Sequence, residues 1–155
     1  MKLTEIPEII QWTEMHYLFI EKKGSFMETA PKAWQELHQK MSELKLAHKI
    51  TGAMSLYQIQ PEMIYRAGVS VEARPEKTIP DGMNYQNFKG GTYARFTLQG
   101  SYSQLPEACG KVFEIVKKIN LPLRDDFFIE NYVNDPNSTP EEQLLTEILV
   151  PCSRK

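Results

Sequence analysis

An internal repeat constrains this chain more than any other feature. Residues 17–26, YLFIEKKGSF, lie over residues 93–102, YARFTLQGSY, so that Tyr17 falls on Tyr93, Gly24 on Gly100, Ser25 on Ser101 and Phe26 on Tyr102. One residue out of that register, Pro31 and Ala33 fall on Pro106 and Ala108, and residues 54–61, MSLYQIQP, fall on residues 129–136, IENYVNDP. Matches in one order at nearly one offset imply a duplicated unit of roughly 70 residues. The expectation is a single domain over 1–155, with a first module at about 9–71 and a second at about 83–151.

Each copy reads strand, helix, strand, strand. In the first, 13–20 is strand-like, Gly24 and Ser25 make a turn, and Pro31 suits the first turn of a helix, where its missing N–H has no partner to lose. Trp34, Leu37, Met41 and Leu44, three or four apart, give that helix one apolar face and run it to about Leu46. Strands at 53–58 and 63–71 follow. The second copy has a strand at 91–99, a helix face of Leu105, Cys109, Val112, Phe113, Val116 and Ile119, and strands at 127–132 and 144–150. The order implies an α+β fold. Residues 72–90 read as a connector whose last part, 83–88, pairs across Lys89 and Gly90 with the next strand.

Alternation along a strand assigns faces. Leu18 and Ile20, Met54 and Leu56, Ala94, Phe96 and Leu98, and Phe127 and Ile129 are expected under the helices. The opposite set is Tyr17, Phe19, Ser55, Tyr57, Tyr93, Arg95, Phe128, Glu130 and Tyr132. Aromatic and polar together, it has the composition of a ligand-binding surface. At its centre Glu130 stands between two rings, where an unpaired carboxylate would cost several kcal/mol or take up a proton. A solvent-facing strand with incidental rings is the plainer reading of the same pattern.

The repeat makes such a site asymmetric. Glu130 falls on Ser55, while Tyr132 falls on Tyr57. One carboxylate without a twin argues against a hydrolytic carboxylate pair and suits a cation, to which tyrosine faces add about 0.5–2 kcal/mol each. Trp34 could close one end of the site, although its spacing with Leu37 and Met41 also fits the core. Arg95 either neutralises a carboxylate or is solvated.

Other chemistry is poorly served. A net charge of −2 with scattered lysines gives no basic field for nucleic acid. No apolar run nears membrane-spanning length and the N-terminus lacks a signal-peptide pattern, so a cytoplasmic protein with no membrane association is expected. His16, His38 and His48 lack metal-ligand spacing, and no metal or cofactor is implied. Cys109 lies on the apolar helix face and reads as core packing, Cys152 as incidental, and both as reduced thiols. No phosphate loop or nucleophile elbow appears.

Residues 90–94 (GGTYA), 100–102 (GSY) leading into 105–108 (LPEA), 128–136 (FIENYVNDP), 139–142 (TPEE) and 147–151 (EILVP) resemble the GyrI-like small-molecule-binding domain family, which also supplies effector-binding domains of AraC- and MerR-type multidrug regulators. The resemblance covers nearly the whole chain. It implies two βαββ modules about a pseudo-two-fold axis, an antiparallel sheet with two helices on one face, and a central cleft for bulky, apolar, often cationic compounds. The family's acidic strand motif matches Glu130 and Tyr132. Two features depart from the pattern. Too little chain precedes Thr13 for a helix-turn-helix, so a stand-alone member with no direct DNA binding is expected, and 58–61 (QIQP) replaces an Asp-rich turn.

The resemblance leaves two functions open. A binding protein would take up apolar or cationic small molecules through Glu130, Tyr132, Phe128, Tyr57, Phe19, Tyr17, Tyr93 and Trp34, or act on a protein partner such as DNA gyrase. An enzyme would hydrolyse strained electrophilic xenobiotics with Glu130 and Tyr132 as its acid–base pair.

Overall fold

The computed structural model describes residues 1–44, 50–75 and 78–153. In chain order its elements are β1 (Lys2–Leu3), β2 (Glu8–Trp12), β3 (Met15–Lys23), α1 (Phe26–Glu43), β4 (Ile50–Gln58), β5 (Ile64–Val71), β6 (Asn84–Phe88), β7 (Gly91–Gln99), α2 (Leu105–Lys118), β8 (Phe128–Tyr132) and β9 (Leu145–Pro151). The fold is α+β, with antiparallel strand pairing and, among the described residues, two α-helices. The chain divides into two compact units, Thr13–Gly90, and Met1–Trp12 together with the chain from Gly91 onward.

Within Thr13–Gly90, β5 pairs with both β3 and β4, and β6 adds to the far side of β3. Leu18 and Ile20 lie level with Val69 and Ala67, and Ser55 and Tyr57 lie level with Ala67 and Tyr65. Helix α1 covers that row: Trp34 and Phe26 meet Tyr65, Phe26 meets Tyr57, and Thr29, Ala33 and Leu37 are its buried residues. The opposite face carries Tyr17, Phe19, Met54 and Leu56, all buried. Tyr17 reaches across two strands. Its hydroxyl donates to the Met54 carbonyl at 2.8 Å, and its ring lies where a Cβ on Gly68 would come within 2.5 Å. Gly68 is therefore required by a close approach, not by a turn.

In the other unit, β9 pairs with both β7 and β8, while β1 and β2 add to the far side of β7. The middle strand of the trio is thus the last of its repeat in both units. Leu105, Ala108, Val112 and Val116 of α2 pack on Ala94, Phe96, Leu98, Ile148 and Val150. Truncating a ring such as Phe96 in that layer costs about 3–5 kcal/mol.

Several expectations change. Helix α1 begins at Phe26, so Pro31 lies inside it; Pro31 is exposed, and the carbonyl that its N–H would have reached belongs to Met27, 90% exposed, where water can replace the bond. Helix α1 ends at Glu43 with Leu44 extended as its C-cap, short of the expected Leu46, which lies outside the described residues, as does His48. Segment 84–88 pairs with β3 and not with β7. Gly90 and Gly91 have φ of 77° and 139°, and Gly91 starts a strand whose partners are β1, β2 and β9. Strand β2 itself was not foreseen. Ile119 closes α2 and is half exposed. Cys152 is fully buried in the core, and burial pushes its thiol pKa up.

Candidate functional site

Parity of the register decides which way β8 points. Glu130 lies level with Ile148, and Ile148 with Phe96, which is a row packed on α2. Phe128, Glu130 and Tyr132 therefore face α2, opposite to the expected side. The same reversal holds in β4, where Ser55 and Tyr57 take the helix side and Met54 and Leu56 the other. All four of those β4 residues are buried, so apolar character could not tell the two faces apart.

Around Glu130 the side chains converge. The Tyr132 hydroxyl donates to Oε1 at 2.9 Å and the Cys109 thiol of α2 donates to Oε2 at 3.3 Å. The Phe113 and Phe128 rings meet edge-on at 5.4 Å, and the Tyr102 ring meets Tyr132 likewise at 5.4 Å. Opposite Tyr132 on β9 stands Thr146, fully buried, with no partner for its hydroxyl among the described residues; the Tyr102 hydroxyl has none either. Glu130 is half-buried. Burial holds its pKa above the ordinary carboxylate range, and the bonds from Tyr132 and Cys109 draw it back only in part. Among the described residues no Lys or Arg pairs with it.

The other unit builds the same place differently. Ser55, in Glu130's position, is fully buried and shares a 2.6 Å hydrogen bond with Tyr65, whose hydroxyl also accepts from Trp34 Nε1 at 2.8 Å. Tyr65 lies level with Tyr57 as Thr146 does with Tyr132. Two large rings and a serine in one unit thus match two small residues and a glutamate in the other.

Of the residues expected on one surface, Glu130, Tyr132 and Phe128 come together in one unit, and Tyr57 and Trp34 lie on the helix side of the other. Tyr17 and Phe19 stack at 5.2 Å on the reverse face of their sheet, with the Arg66 guanidinium 4.7 Å from the Phe19 ring. Burial raises the Tyr17 pKa well above normal. Tyr93 also faces away from the helix of its unit; its hydroxyl donates to the Phe127 carbonyl at 3.4 Å, Arg124 lies 5.0 Å over its ring, and burial pushes its pKa up to about 12. Arg95 bridges Glu8 and Glu147 at 3.2 and 3.3 Å. Sequence reasoning missed Cys109 as a partner of Glu130. The signal was available, since Cys109 stands as far from Pro106 as Trp34, another donor, stands from Pro31.

Among the described residues no cluster of three or more His, Cys, Asp and Glu could hold a metal, and no helix is long and apolar enough to cross a membrane.

Among the described residues, two α-helices and antiparallel strands in a repeated order make an α+β domain, and one of its units holds a half-buried carboxylate beside aromatic side chains. The chain belongs to the GyrI-like small molecule binding domain family, whose model matches residues 6–153. The structure is similar to that of the EcmrR C-terminal domain, with a TM-score of 0.81 at 14% identity over 100% of both chains. In the EcmrR–DNA complex, the match covers 58% of the EcmrR chain. SAV2435 bound to tetraphenylphosphonium gives 0.72 at 17% identity, covering 95% of this chain and 93% of that one. A hydrolase from Listeria innocua gives 0.62 at 15% identity, covering 97% and 93%. No curated protein matches the chain.

Proposed function

We propose that this protein binds bulky, apolar, cationic organic molecules, with Glu130 supplying the counter-charge. The observation that carries the reading is a half-buried carboxylate held by a phenol and a thiol, with no Lys or Arg paired to it among the described residues. Such a group stays partly desolvated, with only neutral donors to offset the burial, until a positive charge arrives. Phe128, Tyr132, Tyr102 and Phe113 provide ring surface for the apolar body, and a cation on a ring face gains about 0.5–2 kcal/mol. The tetraphenylphosphonium held by SAV2435 is a compound of this chemistry. Tyr57 and Trp34, and beyond them Tyr17, Phe19 and Tyr93, are secondary candidates for contact.

A second reading is favoured by the 2.9 Å contact between Tyr132 and Glu130 and by the hydrolase fold relatives. There Glu130, its pKa raised, takes a proton from a water attacking a strained electrophile, and Tyr132 protonates the leaving atom. Tyr132 must first release Glu130, since its proton points at the carboxylate.

Glu130→Gln tests both readings, because it keeps the shape and removes the charge. Tetraphenylphosphonium affinity should fall by about 2 kcal/mol or more, with a neutral aromatic of similar size little affected. Unchanged affinity for the cation rejects the counter-charge reading. If hydrolysis is the function, binding of a reactive neutral compound should survive and its turnover fall ~100-fold or more.

A further inference from the structure

Glu130 holds its two carboxylate oxygens on unequal donors. Oε1 accepts from Tyr132 at 2.9 Å, a phenol anchored two residues along the same strand. Oε2 accepts from the Cys109 thiol at 3.3 Å, brought in by a separate element. A thiol is a weak donor, so its bond is cheap to exchange. The unit Thr13–Gly90 shows the contrasting solution at the same position: Trp34 donates at 2.8 Å to Tyr65, and Tyr65 stands 2.6 Å from Ser55. That chain of stronger donors binds its polar atoms to one another. On α2, the corresponding residue is small and its donor weak.

We propose that Cys109 is the positioning residue that makes Oε2 the exchangeable oxygen of the site: its thiol orients the carboxylate in the free protein and yields to a ligand cation, while Tyr132 keeps Oε1. This rests on the reading of Glu130 as counter-charge. Among the described residues, Glu130 is met by Tyr132 on its own strand and Cys109 from α2 and lies level with Ile148 of β9, while Thr146 lies level with Tyr132 and Tyr102 stands edge-on against Tyr132. Among the described residues, the thiol and the phenol are the titratable groups bonded to the carboxylate, and both lower a pKa that burial raises. Removing the thiol should therefore move the Glu130 midpoint up, and a stronger hydroxyl donor should move it down.

The test uses Cys109→Ala and Cys109→Ser in the full chain. Carboxyl NMR titration, with the Glu130 signal assigned by its loss in Glu130→Gln, should show the midpoint rising in the Ala variant and falling in the Ser variant. At alkaline pH, where the carboxylate is ionised in every variant, tetraphenylphosphonium should bind ~3–10-fold more weakly to the Ser variant than to the Ala variant, because the hydroxyl competes harder for Oε2. Neutral triphenylphosphine oxide should bind both alike. Midpoints unmoved in both variants, or equal losses for the two ligands, would reduce Cys109 to a packing residue and overturn the proposal. If the wild type fails to bind tetraphenylphosphonium, the counter-charge reading and ligand exchange fall together, whereas opposite movements of the midpoint still support the thiol's hold on Glu130.

Discussion

The two units place different chemistry on the same scaffold. Under α1, Trp34, Tyr65 and Ser55 form a connected set of neutral hydrogen bonds at 2.8 and 2.6 Å. Under α2, Cys109, Thr146 and Glu130 occupy the corresponding positions, with a half-buried carboxylate and a hydroxyl that has no partner among the described residues. The first arrangement satisfies its polar groups internally, as a unit built for stability does. The second leaves a carboxylate held only by neutral donors and a hydroxyl with no partner among the described residues, and departures of that kind often mark functional sites. On the proposed function, one copy of the duplicated fold serves as support while the other carries the chemistry.

Moving the carboxylate across the comparison should have the largest effect. Ser55→Glu puts a charge at a fully buried position whose hydroxyl is already bonded to Tyr65, itself held by Trp34, so unfolding free energy measured with denaturant should fall by about 3–5 kcal/mol. A loss under about 1 kcal/mol would mean that the two environments are interchangeable. A smaller effect is expected from Trp34→Phe, which removes the indole donor and keeps a ring. Stability should drop by about 1 kcal/mol, with tetraphenylphosphonium affinity unchanged if Thr13–Gly90 is the supporting copy. An affinity loss exceeding the loss in stability would transfer part of the binding role to that copy.

The pH dependence should show the smallest effect. Burial raises the folded pKa of Glu130, so the folded state holds this proton more tightly than the unfolded chain. Its contribution is fully present below the unfolded carboxylate pKa and declines as pH rises through the folded value. Melting temperatures of wild type and Glu130→Gln should therefore agree in acid and separate at neutral pH, with the Gln variant the more stable. Parallel curves would mean that Glu130 is solvated and ordinary.

Much of this was readable from the residues. The repeat predicted the strand, helix, strand, strand order, and the alternation 128, 130, 132 placed two rings beside Glu130 whichever way the strand turned. Composition could not choose the side. Met54, Ser55, Leu56 and Tyr57 are all buried, and a strand buried on both faces carries no polarity signal for its orientation. The pairing of 84–88 with β3 was hidden for a different reason, since Lys89 and Gly90 read as a local hairpin and the actual partner lies far back in the chain.

By itself the sequence determined the α+β class, the duplicated order of elements and the single carboxylate at position 130, because these follow from local periodicity and from the repeat. The tertiary structure alone decided that Glu130 faces α2, that Cys109 and not a lysine or arginine meets its second oxygen, and that Tyr65 closes the equivalent place in the other copy. Those facts depend on register between strands distant in sequence, where a shift of one residue turns every side chain to the opposite face.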